Sequence, residues 1–456
     1  MPDPHVLIIG GGLAGLSTGC YARSNGFRTT LLEHNLALGG VCTAWPRGPY
    51  MVDGCIHWLT GGPFSSAYQE LGLPRAVPLR TLEHWVTYRD ERSGTDIAIT
   101  ADLDALGREL ARISPEDQPE VARLLDAAMR FTELPIAVSR PRELTTFREH
   151  LLGLWEMREA LGVLVRFRKS MLDWTQHHLR NEKLQRFFVR LVPEEAPALV
   201  LLMVLGYLQR GWLSRPVGGT ARFRDALIER YHQLDGEVRL NSTVDEIVVE
   251  NGRARGVRLA DGSIVEADVV VSTSSVPETV LRLLGGRFGA EEVRHQLEHR
   301  KLFDPIVLAS FGVETPLAGV PSMQLIDGIE PMEVGGVRNE HFFMRVCNDD
   351  ASFAPTGHTV VQVMLTTSYE WWATRGSRYS SEKDAVGQLA LSQLDRRFPG
   401  LRTAVRMVDV VTPLTYWNMA RSWRGAYEGW APSTESFFGH VKKTLPGLSG
   451  LYLAGQ

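Results

Sequence analysis

His5-Val6-Leu7-Ile8-Ile9-Gly10-Gly11-Gly12-Leu13-Ala14-Gly15 decides how the rest of the chain is read. The apolar run reads as a buried strand, the glycines as a tight turn, and residues 13 to about 25 as a helix; 28–33 reads as a second strand. Gly10, Gly12 and Gly15 have the GxGxxG spacing within this strand–turn–helix–strand unit. Gly10 permits the tight turn, Gly12 leaves room for a pyrophosphate against bare backbone, and Gly15 lets helix and strand pack closely. The first-turn N–H groups around Leu13 and Ala14, with the positive end of the helix dipole, suit a phosphate. Glu33, with His34 beside it, is placed to accept hydrogen bonds from ribose hydroxyls and would repel a 2′-phosphate. A purely structural glycine turn is the alternative, disfavoured by the strand and helix on either side.

Working outward, the composition is that of an ordinary globular chain. It has 456 residues, 49 basic and 53 acidic side chains and a net charge of −4, enough chain for two or three structural units and no global attraction to nucleic acid. Cys20, Cys42, Cys55 and Cys347 have no CxxC or metal-like spacing, so buried reduced thiols are expected and a disulfide scaffold is excluded. His177 and His178 are adjacent and do not share a helix face, so no metal site is expected. No basic leader precedes the apolar run at His5, so the expected location is cytoplasmic. The longest apolar stretch, 196–208, is too short to span a bilayer and reads as a core or tunnel-lining helix or a shallow membrane insertion.

From 102 to 190 the apolar periodicity is helical, with Asp102 as a plausible N-cap; this block, to 214, reads as an insertion between parts of one nucleotide-binding fold. After Pro216-Val217-Gly218-Gly219 the pattern predicts a helix over 220–233. Strands follow at 238–240, 244–250, 254–259, 264–266 and 269–271, with tight turns at Asn251-Gly252 and Asp261-Gly262. Strands dominate 300–412, for example 306–313, 341–346 and 360–365, interrupted by a helix near 382–397.

Gly39-Gly40 lies six residues past Glu33 and leads to Arg47-Gly48-Pro49-Tyr50-Met51-Val52-Asp53-Gly54. This resembles the extended signature of the flavoprotein superfamily that holds amine oxidases, protoporphyrinogen oxidases and carotenoid desaturases. Pro216-Val217-Gly218-Gly219, Asn241-Ser242-Thr243-Val244-Asp245-Glu246-Ile247 with Ala267-Asp268-Val269-Val270-Val271, and Gly450-Leu451-Tyr452-Leu453-Ala454-Gly455 resemble it in order. Thr412-Pro413-Leu414-Thr415-Tyr416 and Arg424-Gly425-Ala426-Tyr427-Glu428-Gly429 look like the late substrate-side signature of its phytoene desaturase, carotenoid isomerase and retinol saturase group. The resemblance implies an α/β fold: a Rossmann-type FAD-binding domain from 1–75, 215–290 and 435–456, interleaved with an α+β substrate domain from 76–214 and 291–434 that carries the helical insertion. It implies FAD as cofactor. Gly39, Gly40 and Val41 would pass close to pyrophosphate or ribityl, Val244 would meet adenine through its backbone, Ser272 would border the adenine site, and Ala454 and Gly455 would lie near the flavin. Relatives often carry Arg or Ser where Val41 stands. They also continue past the final Ala-Gly with a helix that caps the flavin; this sequence stops at Gln456, so a truncated record or weakened flavin affinity is expected.

For catalysis the candidates are His57 and Trp58, on the stretch that the resemblance carries toward the flavin's reactive side. His57 would titrate near neutral pH and pass a proton; the alternative is a hydrogen-bonded structural histidine. Residues 151–190 carry eight basic and four acidic residues among Trp155, Phe167, Met171, Trp174, Phe187 and Phe188. That block, with the apolar stretch to 208, reads as a peripheral membrane contact on the inner face or as a solvated helix face. The leading function is an FAD-dependent oxidoreductase acting on C=C or CH–CH units of a hydrophobic polyene or isoprenoid, by desaturation, saturation or isomerisation. A flavin amine oxidase or oxidase of an apolar metabolite, and a non-enzymatic prenyl- or lipid-binding protein on the same fold, are the alternatives. Oligomeric state stays open.

Overall fold

The strand His5–Ile9 is buried at every position, as a continuous apolar run requires when both sheet faces are covered. It pairs in parallel with Arg28–Leu32 on one side and Val269–Ser272 on the other. Glu237–Arg239 and Leu451–Leu453 complete a five-stranded parallel sheet drawn from three distant parts of the chain. The computed structural model describes residues 3–134, 146, 148, 161–438 and 442–455.

Helices Leu13–Ser24 and Gly219–Gln233 cover one face, where Val6, Ile8, Leu16 and Leu31 meet Phe223, Leu227 and Tyr231. On the other face Leu7, Ile9, Leu32 and Val270 pack against the antiparallel strands Val244–Glu250 and Arg253–Leu259, with Ile264–Glu266 at the edge. The Asn251-Gly252 hairpin turn takes positive φ at both residues, as its sequence predicts.

A second, seven-stranded sheet runs in the order Val405–Val411, Ile306–Val313, Thr359–Thr366, Val337–Cys347, Met323–Val334, His84–Asp90, Thr95–Thr100. Side chains alternate across it. Val307, Phe311, Met344 and Val363 bury against helix Tyr379–Arg397. Ile306, Leu308, Phe343 and Met364 point the other way, toward the cofactor-side loops and the helical block.

That block contains Leu103–Ile113, Gln118–Phe131, Leu161–Phe167, Met171–His178, Glu182–Leu191 and Leu199–Gln209. Asp102 caps its first helix by accepting from Ala105 N at 2.8 Å. Leu199–Gln209 is its centre, not a membrane insertion: eight of its residues are buried, which corrects the shallow-insertion alternative for 196–208. A Cβ at Gly206 would sit 2.2 Å from Ala128 O, so the glycine is what lets this helix lie against Gln118–Phe131. Residues 151–160 of the basic block, Trp155 among them, lie outside the described residues. Phe167, Met171, Trp174, Phe187 and Phe188 are core residues, which corrects their reading as an exposed amphipathic face. Leu161 and Val165, 54% and 64% exposed, stay on the surface beside Arg166, Arg168 and Lys169. Among the described residues no helix is long and apolar enough to cross a membrane.

Candidate cofactor and substrate site

The glycine loop is built by close backbone approach. Gly10 has φ +100°, and its N–H donates to Leu32 O at 2.8 Å. A Cβ on Gly15 would fall 1.9 Å from Gly10 O, so no other residue fits without separating helix and strand. Gly12 is the N-cap of Leu13–Ser24 and offers no side-chain acceptor, which leaves the first-turn N–H groups of Leu13 and Ala14 available to an anion. Gly39 bridges Gly12, and a Cβ on Gly40 would lie 3.1 Å from Gly12 Cα. From the far end of the chain, Ala454 N donates to Ser272 O at 3.0 Å, and Gly455 packs on Ala14. Three remote glycine segments thus meet at one helix N-terminus, a cradle that side chains would fill and that fits a dinucleotide diphosphate.

Glu33 sits at the strand end, 3% exposed. Its Oε2 accepts from Gly11 N at 2.7 Å, and its Oε1 accepts from Asn35 N and Nδ2 at 2.9 and 2.8 Å. Burial alone would raise this carboxyl, but hydrogen bonds from His34, Asn35 and Gly11 outweigh it and hold it below the usual range. His34 Nδ1 is 3.0 Å from Glu33, and the pairing lifts the imidazole above its ordinary value. Beside them Ile9, Gly10, His34, Val244 and Ser274 line a recess at the carboxyl ends of the parallel strands. Ser272 does not line it: its side chain is fully buried and hydrogen-bonded to Thr279 Oγ1 at 2.7 Å. The expectation shifts to Ser274, two residues on. Arg421, which the sequence reading also missed, lines the same recess.

The second half of the site starts at the hairpin of Ala44–Arg47 and Tyr50–Asp53. Val41 follows the Gly39-Gly40 pair and packs with Leu308, Met364 and Tyr416. Cys42 and Cys55 come together past the hairpin's open end, and the thiol–thiol hydrogen bond, with burial, pushes Cys42 upward. Ile56 N donates to Thr220 Oγ1 at 2.8 Å and Arg215 Nε donates to His57 O at 2.8 Å, so the loop is pinned on both sides. Asp53 lies 3.7 Å from the buried Arg345 guanidinium and accepts from Thr220 N.

His57 does not titrate near neutrality. Burial, then the Arg345 guanidinium and to a lesser degree Arg215, pull it down to about 3 against the attraction of Asp53. Its buried Nδ1 has no hydrogen-bond partner among the described residues. Held this far down, the imidazole is neutral at physiological pH, which speaks against a proton-shuttle role. Trp58 stands edge-on to Trp85 at 5.8 Å and joins the helical core on one side.

The group with suitable acidity lies elsewhere. Glu428 is open to solvent, yet it is enclosed densely enough that burial raises its carboxyl to about 7. The neighbouring Tyr427 and Tyr416 rings are 5.9 Å apart and pack with Val41, Leu308 and Met364. Burial raises both phenols above their ordinary value. Phe303 N donates to Gly429 O at 2.9 Å, tying the Glu428 turn to the segment that leads into strand Ile306–Val313. The late signature contained Glu428, but nothing in its spacing separates it from the other carboxylates.

A parallel sheet with a glycine cradle at its strand ends, interleaved with a mixed seven-stranded sheet whose apolar face turns toward that cradle, is the arrangement of a flavin-dependent oxidoreductase. Residues 13–456 match the family described as flavin containing amine oxidoreductase, and the chain belongs to it. The chain is 25% identical over 391 residues to a 4,4'-diapolycopene oxygenase of Methylomonas sp, covering 79% of this chain and 75% of that one. It is 23% identical over 474 residues to a lycopene-forming phytoene desaturase of Pseudescherichia vulneris, covering 98% and 94%. The solved structure of cyclohexylamine oxidase from Brevibacterium oxydans IH-35A aligns with TM-score 0.62 and 16% identity over 100% of this chain and 93% of that one, a likeness of fold alone. The cofactor is FAD, and the residues at the cradle fit it.

Proposed function

We propose that the chain acts on C=C or CH–CH units of an extended apolar molecule of the polyene or isoprenoid class. The observation that carries this is the inner face of the seven-stranded sheet. Phe343 and Met364 remain only partly buried there as directly paired neighbours on strands Val337–Cys347 and Thr359–Thr366, and Ile306, also partly buried, lies on strand Ile306–Val313 two residues before Leu308, the partner of Met364. Trp58 and Tyr427 extend this apolar surface toward Val41 and the glycine cradle. Such a surface orients a long hydrocarbon and excludes water, which is most of what a flavin oxidoreductase needs from its protein. The names of the curated relatives, which act on carotenoid substrates, support the same class.

In this reading Gly10, Gly12, Leu13, Ala14, Gly15, Gly39, Gly40, Ala454 and Gly455 hold the diphosphate and flavin side, and Glu33, His34, Val244 and Ser274 hold the adenosine side. Bound FAD supplies the two-electron redox chemistry. Glu428, poised at about 7, takes or returns the proton that accompanies loss or gain of a C–H bond. His57, neutral, and Trp58 position the chain of the substrate. Contact with an anionic bilayer through Leu161, Val165, Arg166, Arg168 and Lys169 would deliver such a substrate from the inner leaflet.

The experiment is anaerobic mixing of FAD-loaded protein with linear polyenes, isoprenoid alcohols and primary and secondary amines, with product analysis by chromatography. Conversion of a polyene is expected. Turnover of amines alone, with peroxide formed in air, would establish the amine oxidase reading instead.

A further inference from the structure

Helix Pro413–Ala420 belongs by sequence to the substrate-side signature, yet its C-terminus lies on the cofactor recess. Asn35 Nδ2 donates to Met419 O at 2.6 Å, and His34 Nε2 lies 3.2 Å from Asn418 O, so the helix end is latched to the two residues after Glu33. The next residue, Arg421, ends the helix in the left-handed region at φ 52° and ψ 28°, with its N–H on Trp417 O at 3.0 Å. Glycine is the usual residue there, because a Cβ strains that conformation. An arginine kept in such a position calls for a side-chain reason.

The surroundings supply one. Arg421 lines the recess with Ile9, Gly10, His34, Val244 and Ser274. A second arginine of the same recess, Arg282, is already paired with Glu278 at 2.5 Å and lies 3.5 Å from Asp245. For Arg421 no carboxylate partner occurs among the described residues; its guanidinium lies 5.9 Å from the Trp417 ring centroid. Glu33, the nearby acid, is engaged by Gly11, His34 and Asn35.

We infer that Arg421 holds the adenylate half of FAD, closing the recess from the substrate-domain side. A planar guanidinium can bond a phosphate through two N–H groups or stack on an adenine face, and an unpaired cation in a site for a dianionic diphosphate is complementary in charge. Arg421 would thereby make the end of the 413–421 segment part of the cofactor site. The inference rests on FAD lying in this recess.

The test titrates flavin-stripped full-length chain with FAD, ADP, AMP and FMN, comparing wild type with Arg421→Gly and Arg421→Lys. Gly relieves the backbone strain, so R421G keeps or gains thermal stability while losing the side chain. FAD, ADP and AMP are expected to bind R421G about ten-fold or more weakly and R421K to an intermediate degree, with FMN unchanged. Added salt should weaken FAD binding more in wild type than in R421G. If wild type binds FAD in competition with ADP but R421G binds all four ligands equally well, the role of Arg421 is overturned and the recess stands. If ADP fails to compete with FAD in wild type, the placement of the cofactor itself fails, and the inference with it.

Discussion

The two ends of the site are made of different material. At the cofactor end the decisive contacts are backbone to backbone, and glycine is required where a Cβ would meet main chain, as at Gly15 against Gly10 O at 1.9 Å and at Gly40 against Gly12 Cα at 3.1 Å. At the substrate end the contacts are side chain to side chain, and the chemistry depends on how Glu428, Tyr427, Tyr416 and His57 are enclosed. Backbone requirements leave a fixed spacing in sequence; enclosure does not. The difference also predicts how each end fails: the first by losing cofactor outright, the second by losing rate or specificity with cofactor still bound.

The most damaging change should be Gly15→Val. Its added carbons have only backbone to displace, so FAD retention is expected to vanish, with a stability loss of about 3 kcal/mol or more. Flavin fluorescence and thermal unfolding check it, and a variant that still purifies yellow would break the cofactor half of the comparison. Next is Glu428→Gln. Turnover should fall about 100-fold while FAD stays bound, and the pH–rate profile should lose its limb near 7.

The same residue has a stability signature of known sign. The folded carboxyl titrates at about 7 and the unfolded one near 4.5, so the native state binds the extra proton between them and stability falls as pH rises through that window. Glu428→Gln should abolish that decline. His57 acts in the opposite sense: folded near 3 and unfolded near 6.5, it costs stability as pH falls from 6.5 toward 3. His57→Gln should flatten this acid limb and leave no change in the rate profile between about pH 5 and 8. Thermal unfolding across pH measures both. A rate limb near neutrality that disappears in H57Q would restore the proton-shuttle role.

The smallest effect concerns the surface. Leu161→Glu with Val165→Glu should leave stability within about 0.5 kcal/mol, since both side chains are exposed. The pair should lower co-sedimentation with anionic liposomes at low salt, and unchanged co-sedimentation would remove the bilayer contact.

These contrasts track what the sequence could carry. The strand–glycine–helix–strand opening and the Asn251-Gly252 hairpin were legible because each depends on a few neighbouring residues with special φ. Strand Val244–Glu250 fell at its expected bounds, directly ahead of that turn. Helix Leu199–Gln209 was ambiguous because an apolar stretch looks alike in a core and in a bilayer; packing by Gly206 on Ala128 decided it. The aromatic residues after 160 suggested a lipid-facing surface, but their basic neighbours turn outward while the rings turn in. Ser272 is the buried last residue of its strand, whereas Ser274 lies past the strand end and lines the recess. His57 kept its place in the loop but lost its expected basicity, first to burial and then to Arg345 and Arg215, residues 288 and 158 positions away. Long-range charges of this kind leave no local pattern to read.

The most direct test is one anaerobic turnover of FAD-loaded wild type and Phe343→Asp with a linear polyene, followed by chromatography of the products and a parallel measure of bound flavin. Wild type should convert the polyene. Phe343→Asp, with a charge placed on the apolar sheet face, should retain FAD and lose conversion at least 10-fold. Equal conversion by both proteins, or conversion of amines but no polyene by wild type, would contradict a hydrocarbon-binding face on the second sheet.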